Sequence, residues 1–114
     1  MYQARYDDIM NDGSDNARDR ERSLFDQSIM MLEAARDEGG YSYKGVEAVH
    51  FTSRLWMIIM EDLGSPANGL PAELRASLIS IGIFILKTLE AIRMETSTDY
   101  DSIIDITKTI RDGI

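Results

Sequence analysis

The densest apolar run in the chain is Leu78-Ile79-Ser80-Ile81-Gly82-Ile83-Phe84-Ile85-Leu86. Its local period is ambiguous, because Ile79, Ile81, Ile83 and Ile85 alternate as in a half-buried strand. The flanks decide for helix. Pro71 suits a first helical position and Glu73 comes next in the first turn. Ala72-Glu73-Leu74-Arg75-Ala76 and Lys87-Thr88-Leu89-Glu90-Ala91 are rich in strong helix formers. One helix is therefore predicted over 71–95. At about 100° per residue it carries two apolar stripes. Leu74, Leu78, Ile81, Ile85, Leu89 and Ile92 form the wider one, with Leu78, Ile81, Ile85 and Leu89 expected in the core. Ile79, Ile83 and Leu86 form a second stripe on another face. Gly82 lies between them, where another helix can come close. A helix apolar on more than one face is central in a bundle or awaits a partner.

The rest of the chain reads as helices too. Residues 1–10 place Tyr2, Tyr6, Ile9 and Met10 at helix-like spacing and allow a short N-terminal helix. Asn11-Asp12-Gly13-Ser14-Asp15 reads as a loop whose Ser14 or Asp15 caps the next helix. That helix is predicted over 15–37, with Leu24, Phe25, Ser28, Ile29, Met31, Leu32 and Ala35 on its apolar side and Met30 opposite. Glu38-Gly39-Gly40 ends it. A second helix is predicted over 42–63. Val46, Val49, Trp56, Met57, Met60 and Leu63 make one apolar face; Phe51, Leu55, Ile58 and Ile59 make another. Gly64-Ser65-Pro66-Ala67-Asn68-Gly69 is a short loop, so the two most apolar helices should form an antiparallel hairpin. Thr96-Ser97-Thr98-Asp99 offers caps for a last helix over 99–112, striped by Tyr100, Ile103, Ile104, Thr107 and Ile110. The expected fold is an all-α, single-domain bundle of four main helices spanning 1–114.

Charge narrows the partners. The 114 residues carry 20 acidic and 12 basic side chains, a net charge of −8. That disfavours nucleic acid and anionic membranes, which need a positive field. Arg18, Arg20 and Arg22 are interleaved with Asp19 and Glu21 and lack an aromatic platform, so they read as a solvated helix face. The start of the chain shows no apolar signal-peptide core, and Leu78–Leu86 is too short to span a bilayer. With no cysteine, a reducing cytoplasm is the natural setting.

Candidate chemistry is sparse. Glu47 and His50 have the E-x-x-H spacing of di-iron bundles, but such a site needs a second histidine. There is one histidine in the chain, flanked on its helix by Glu47 and Arg54, and a boundary histidine explains it better than a metal ligand. No nucleophile triad or phosphate-binding glycine loop is present. No enzyme activity, cofactor or metal is expected. The methionines and aromatics are more informative: most should fill an irregular core, but off-stripe ones suit a soft groove for a partner's amphipathic helix. Met30, Trp56, Ile79, Ile83, Phe84 and Leu86 are the candidate partner-binding residues.

Several of these segments carry a resemblance. Trp56, Glu61-Asp62-Leu63, Ser65-Pro66, Asn68, Leu70-Pro71, Glu73-Leu74-Arg75 and Leu78-Ile79-Ser80-Ile81-Gly82 resemble the alphaproteobacterial flagellar biosynthesis regulatory family FlaF. Met1-Tyr2-Gln3, Tyr6, Arg20-Glu21-Arg22, Arg54-Leu55-Trp56, Ile104, Ile106 and Ile110-Arg111-Asp112-Gly113 extend the resemblance over the whole chain. Ile83-Phe84 departs from the Leu-Trp of many relatives but keeps an aromatic. The resemblance implies a cytoplasmic, non-enzymatic protein that promotes flagellin production, secretion and filament assembly. It implies flagellin as partner, bound through its terminal amphipathic helices, and a role opposed to the flagellin repressor FlbT. Post-transcriptional control through a partner, or a homodimeric module, are the alternatives.

Overall fold

A computed structural model of the chain describes residues 2–113, with side chains from residue 17 onward. It is all-α: α1 is Tyr2–Glu38, α2 Tyr43–Leu63, α3 Ala72–Arg93 and α4 Tyr100–Asp112. The four predicted helices are present.

The main correction lies at the N-terminus. Asn11-Asp12-Gly13-Ser14-Asp15, expected as a loop, lies within α1, so there is no separate short helix before it. These residues are weak helix formers, but none is a proline, and propensity differences of about 1 kcal/mol per residue are easily overridden. The expected packing of Tyr2, Tyr6, Ile9 and Met10 concerns side chains outside the described residues.

Local chemistry sets the other boundaries. Gly39 and Gly40 both take positive φ, 77° and 65°, which turns the chain between α1 and α2. The Ser42 side chain caps α2 by accepting from the Gly45 N–H. Pro71 precedes α3 rather than opening it, acting as the N-cap with φ −55°. α3 also stops two residues before the expected 95. Glu95 adopts φ 60°, and the Thr96 N–H donates to the Ala91 carbonyl. This is the geometry that a glycine commonly provides at a helix C-terminus. Asp99 caps α4 by accepting from the Ser102 N–H.

The helices pack in antiparallel pairs: α1 with α2, α1 with α4, and α2 with α3. Ser28 meets Thr52 in the α1–α2 seam. Arg36 with Asp101, Lys108 with Glu33, and Arg111 with Asp26 tie α1 to α4 along its length. These are surface pairs screened by solvent, and they report register more than stability. In the α2–α3 pair, an added Cβ on Gly82 would collide with the Met60 Sδ and come within 3.3 Å of Trp56 Cε3. Gly82 is thus the close-approach point its position suggested. All four helices feed one core: Ile29, Leu32 and Ala35; Ala48, Val49 and Trp56; Ile85, Leu89 and Ile92; Tyr100, Ile103 and Ile104.

Candidate partner-binding surface

The α3 stripe is covered only over half its length. Ile85, Leu89 and Ile92 are buried, Ile81 and Leu78 are half-buried, and Leu74 is 46% exposed. Of the residues expected in the core, Ile81 is half-buried and packs against it, whereas Leu78 is half-buried outside the core cluster. α4 provides the reason. Its last turn is level with Asp26 through Arg111, and Asp26 is half a turn from Ser28. Ser28 meets Thr52, and Trp56, one turn further along α2, meets Gly82. α4 therefore ends about level with the Gly82–Ile85 turn of α3. Beyond that point the stripe is half-buried at Ile81 and Leu78 and exposed at Leu74.

Phe84, 48% exposed, lies on the flank of this stripe, about 60° from Ile81 by helical period and on the side away from Gly82 and α2. Ile79 and Ile83 lie on the other side of α3 by helical period. Ile83 is exposed, as is Met57 of α2. A third apolar surface runs along the α1–α2 seam away from α3 and α4. There Leu24, Met31, Phe51, Leu55 and Ile58 floor a groove of about 460 Å³, rimmed by Glu47, His50 and Arg54. Val46, Met57 and Ile58, expected on apolar packing faces, are all exposed, because α2 buries one face only, through Ala48, Val49, Thr52, Leu55, Trp56 and Leu63.

The six sequence-derived candidates do not form one patch. Met30 is 68% exposed on the solvent face of α1, apart from the others. Trp56 is 1% exposed and belongs to the core, so it presents no surface to a partner. Among the described residues its buried indole N–H finds no acceptor. Leu86 is half-buried against the core and Ile79 is half-buried. Ile83 and Phe84 are exposed but point about 100° apart. Sequence reasoning missed Leu74 as surface and the partial exposure of Leu78. A 13-residue α4 cannot cover a 22-residue α3, and that mismatch in predicted lengths was the available signal.

A further pocket of about 370 Å³ lies at the other end of the bundle, among Tyr41, Gly45, Val49, His50, Arg93 and Tyr100. The buried Tyr100 hydroxyl crowds Gly45, and burial, then the nearby Tyr41, pushes its pKa up. Tyr41 donates to the Glu95 carbonyl at 2.8 Å, which closes the pocket over the end of α3. Arg93 donates two hydrogen bonds to Glu90, and they hold that exposed carboxyl below its ordinary range. Among the described residues, no group of three or more metal-ligating side chains comes together, and no helix is long and apolar enough to cross a membrane.

The fold and its surfaces define a small acidic helical bundle that leaves much of its apolar helix surface uncovered. The chain belongs to the FlaF family of flagellar proteins: the family model described as Flagellar protein FlaF matches residues 2–114. Neither the curated proteins nor the solved structures contain a match.

Proposed function

We propose that this flagellar protein is a non-enzymatic, cytoplasmic chaperone that binds monomeric flagellin and promotes its synthesis, its secretion and filament assembly. The observation that carries this reading is the uncovered apolar surface: Leu74, Phe84, Ile83, Met57 and Ile58 are each at least 40% exposed. Exposed apolar groups on this scale are a liability in a free monomer and suit a protein that receives amphipathic helices. The net charge of −8 keeps such a surface soluble. Size-exclusion chromatography of the protein mixed with monomeric flagellin tests the proposal. Co-elution as a complex is expected, and separate elution at tens of micromolar would overturn it.

A second reading is control of flagellin expression at the mRNA level. The acidic charge favours an indirect route, through a protein such as the repressor FlbT. Gel shifts on the flagellin leader, with and without the repressor, separate the two routes. A homodimer formed through the same apolar surface would show in light scattering as a mass that rises with concentration.

A further inference from the structure

We propose that the partly exposed strip Leu74–Leu78–Ile81 on α3, flanked by Phe84, is the seat of a partner's amphipathic helix, laid in line with α4. The inference deepens the partner-binding reading above and rests on it. Its first support is continuity. Leu74, Leu78 and Ile81 continue the stripe whose other half, Ile85, Leu89 and Ile92, is sealed in the core shared with α4. The stripe that is buried at Ile85, Leu89 and Ile92 runs on half-buried through Ile81 and Leu78 and opens to solvent at Leu74.

The second support is what the covered half accepts. α4 contributes Tyr100, Ile103 and Ile104, at helical spacing, to the core cluster that holds Ile85, Leu89 and Ile92. The less covered half has large aliphatic residues at the same spacing, with exposed Phe84 on its flank. From Leu74 to Phe84 the strip runs about 16 Å, or three turns of an occupying helix.

The third support is charge. The hairpin end beside the strip carries exposed Glu61, Asp62 and Glu73 against a half-buried Arg75. The chain as a whole is at −8. The occupant is therefore a helix of another protein, aliphatic at i, i+3, i+4 and i+7, with basic residues beside its stripe. A second copy of this acidic chain would bring like charge to the seat.

Two probes test this by fluorescence anisotropy: monomeric flagellin, and a labelled Leu/Lys amphipathic peptide of about 14 residues. Five proteins are compared: wild type, Leu74→Lys with Phe84→Lys, the milder Leu74→Gln with Phe84→Gln, Met57→Lys with Ile83→Lys, and Tyr43→Lys with Val46→Lys. The last pair sits at the far end of the bundle and makes the same charge change on exposed apolar residues. Circular dichroism confirms that each variant is folded. Both strip variants should lose about tenfold or more in affinity for both probes while the far-end variant does not. If flagellin binds wild type and the strip variants alike, the seat is overturned and the chaperone reading stands. Loss of binding through Met57→Lys with Ile83→Lys instead would also overturn the seat. If the peptide binds at the strip and flagellin does not bind, the seat stands and flagellin is the wrong partner. If neither probe binds wild type, both fall. Light scattering that shows wild-type dimers abolished by the strip changes would assign the seat to a second copy and overturn the proposal.

Discussion

Ser28 of α1 and Thr52 of α2 share a hydrogen bond of 2.6 Å, with both side chains fully buried. It is a polar pin in an apolar seam, and it fixes the register of the antiparallel pair. A buried hydroxyl left without its partner loses about 1–3 kcal/mol. Ser28→Ala should therefore destabilise by that amount in urea unfolding. Removing both hydroxyls, in Ser28→Ala with Thr52→Val, should recover much of the loss, because no orphan remains. Strictly additive losses in the double-mutant cycle would show that the pair is not coupled.

Gly45 has no room for a side chain. A Cβ there would lie 2.6 Å from the Tyr100 hydroxyl oxygen, although 3.8 Å from the ring carbon that carries it. Tyr100 is buried, so its ring cannot swing clear. Gly45→Ala should cost about 1–3 kcal/mol by overpacking. Adding Tyr100→Phe removes the colliding atom and should restore most of the stability. Thermal unfolding of the single and double variants decides this, and a double variant no better than Gly45→Ala would contradict it.

The same hydroxyl sets an alkaline limit. Burial, together with the nearby Tyr41, holds its pKa above the ordinary 10.0. A raised folded-state value gives stability that is fully present below pH 10.0 and is lost as pH rises through the folded value. Unfolding free energy should therefore fall with pH above about 10, and less steeply in Tyr100→Phe. Phenolate absorbance should show one of the five tyrosines of the chain titrating late. Parallel pH profiles for wild type and Tyr100→Phe would remove Tyr100 as the cause.

The helices were legible because their stripes are long and regular: Phe25, Ile29 and Leu32 or Ile85, Leu89 and Ile92 could only be buried faces. Two features were not legible, for different physical reasons. The segment Asn11–Asp15 is locally loop-like, yet α1 runs through it, since weak propensity without a proline does not break a hydrogen-bond ladder. The candidate surface was harder still. Periodicity shows that Leu74 and Leu89 share a face, but not that α4 covers one and leaves the other exposed. Burial along a stripe depends on where the neighbouring helix ends, a property of tertiary register. Trp56 shows the converse: an aromatic expected at a partner surface is instead the wedge between α2 and Gly82.

Glu95 occupies a left-handed position with φ 60°, where glycine is the easy residue. The surrounding bonds, from Thr96 to Ala91 and from Tyr41 to the Glu95 carbonyl, involve backbone atoms of α3's end and survive substitution. Glu95→Gly relieves about 1–2 kcal/mol of backbone strain, offset by about 0.5–1 kcal/mol of added freedom in the unfolded chain. A net gain of up to about 1 kcal/mol is expected in denaturant unfolding. Glu95→Ala should not share it, since the strain stays, and equal effects of the two changes would mean that φ is not the cause.

Gly82 sets two opposed effects against each other. Within a helix it is worse than alanine by about 1 kcal/mol. Against that, a new Cβ must displace the Met60 thioether and press on Met60 Cγ at 3.2 Å and on Trp56 Cε3 at 3.3 Å. Met60 is half-buried and flexible, so its sulfur can swing aside. Gly82→Ala should then stay within about 1 kcal/mol of wild type. Gly82→Val cannot be absorbed by Met60 alone, because the second methyl group must push the buried Trp56 ring. It should cost about 1–3 kcal/mol more than the alanine change and shift the tryptophan fluorescence of the folded state. Equal stability of the alanine and valine variants would mean that α3 moves bodily away from α2, and that the hairpin is not locked at Gly82.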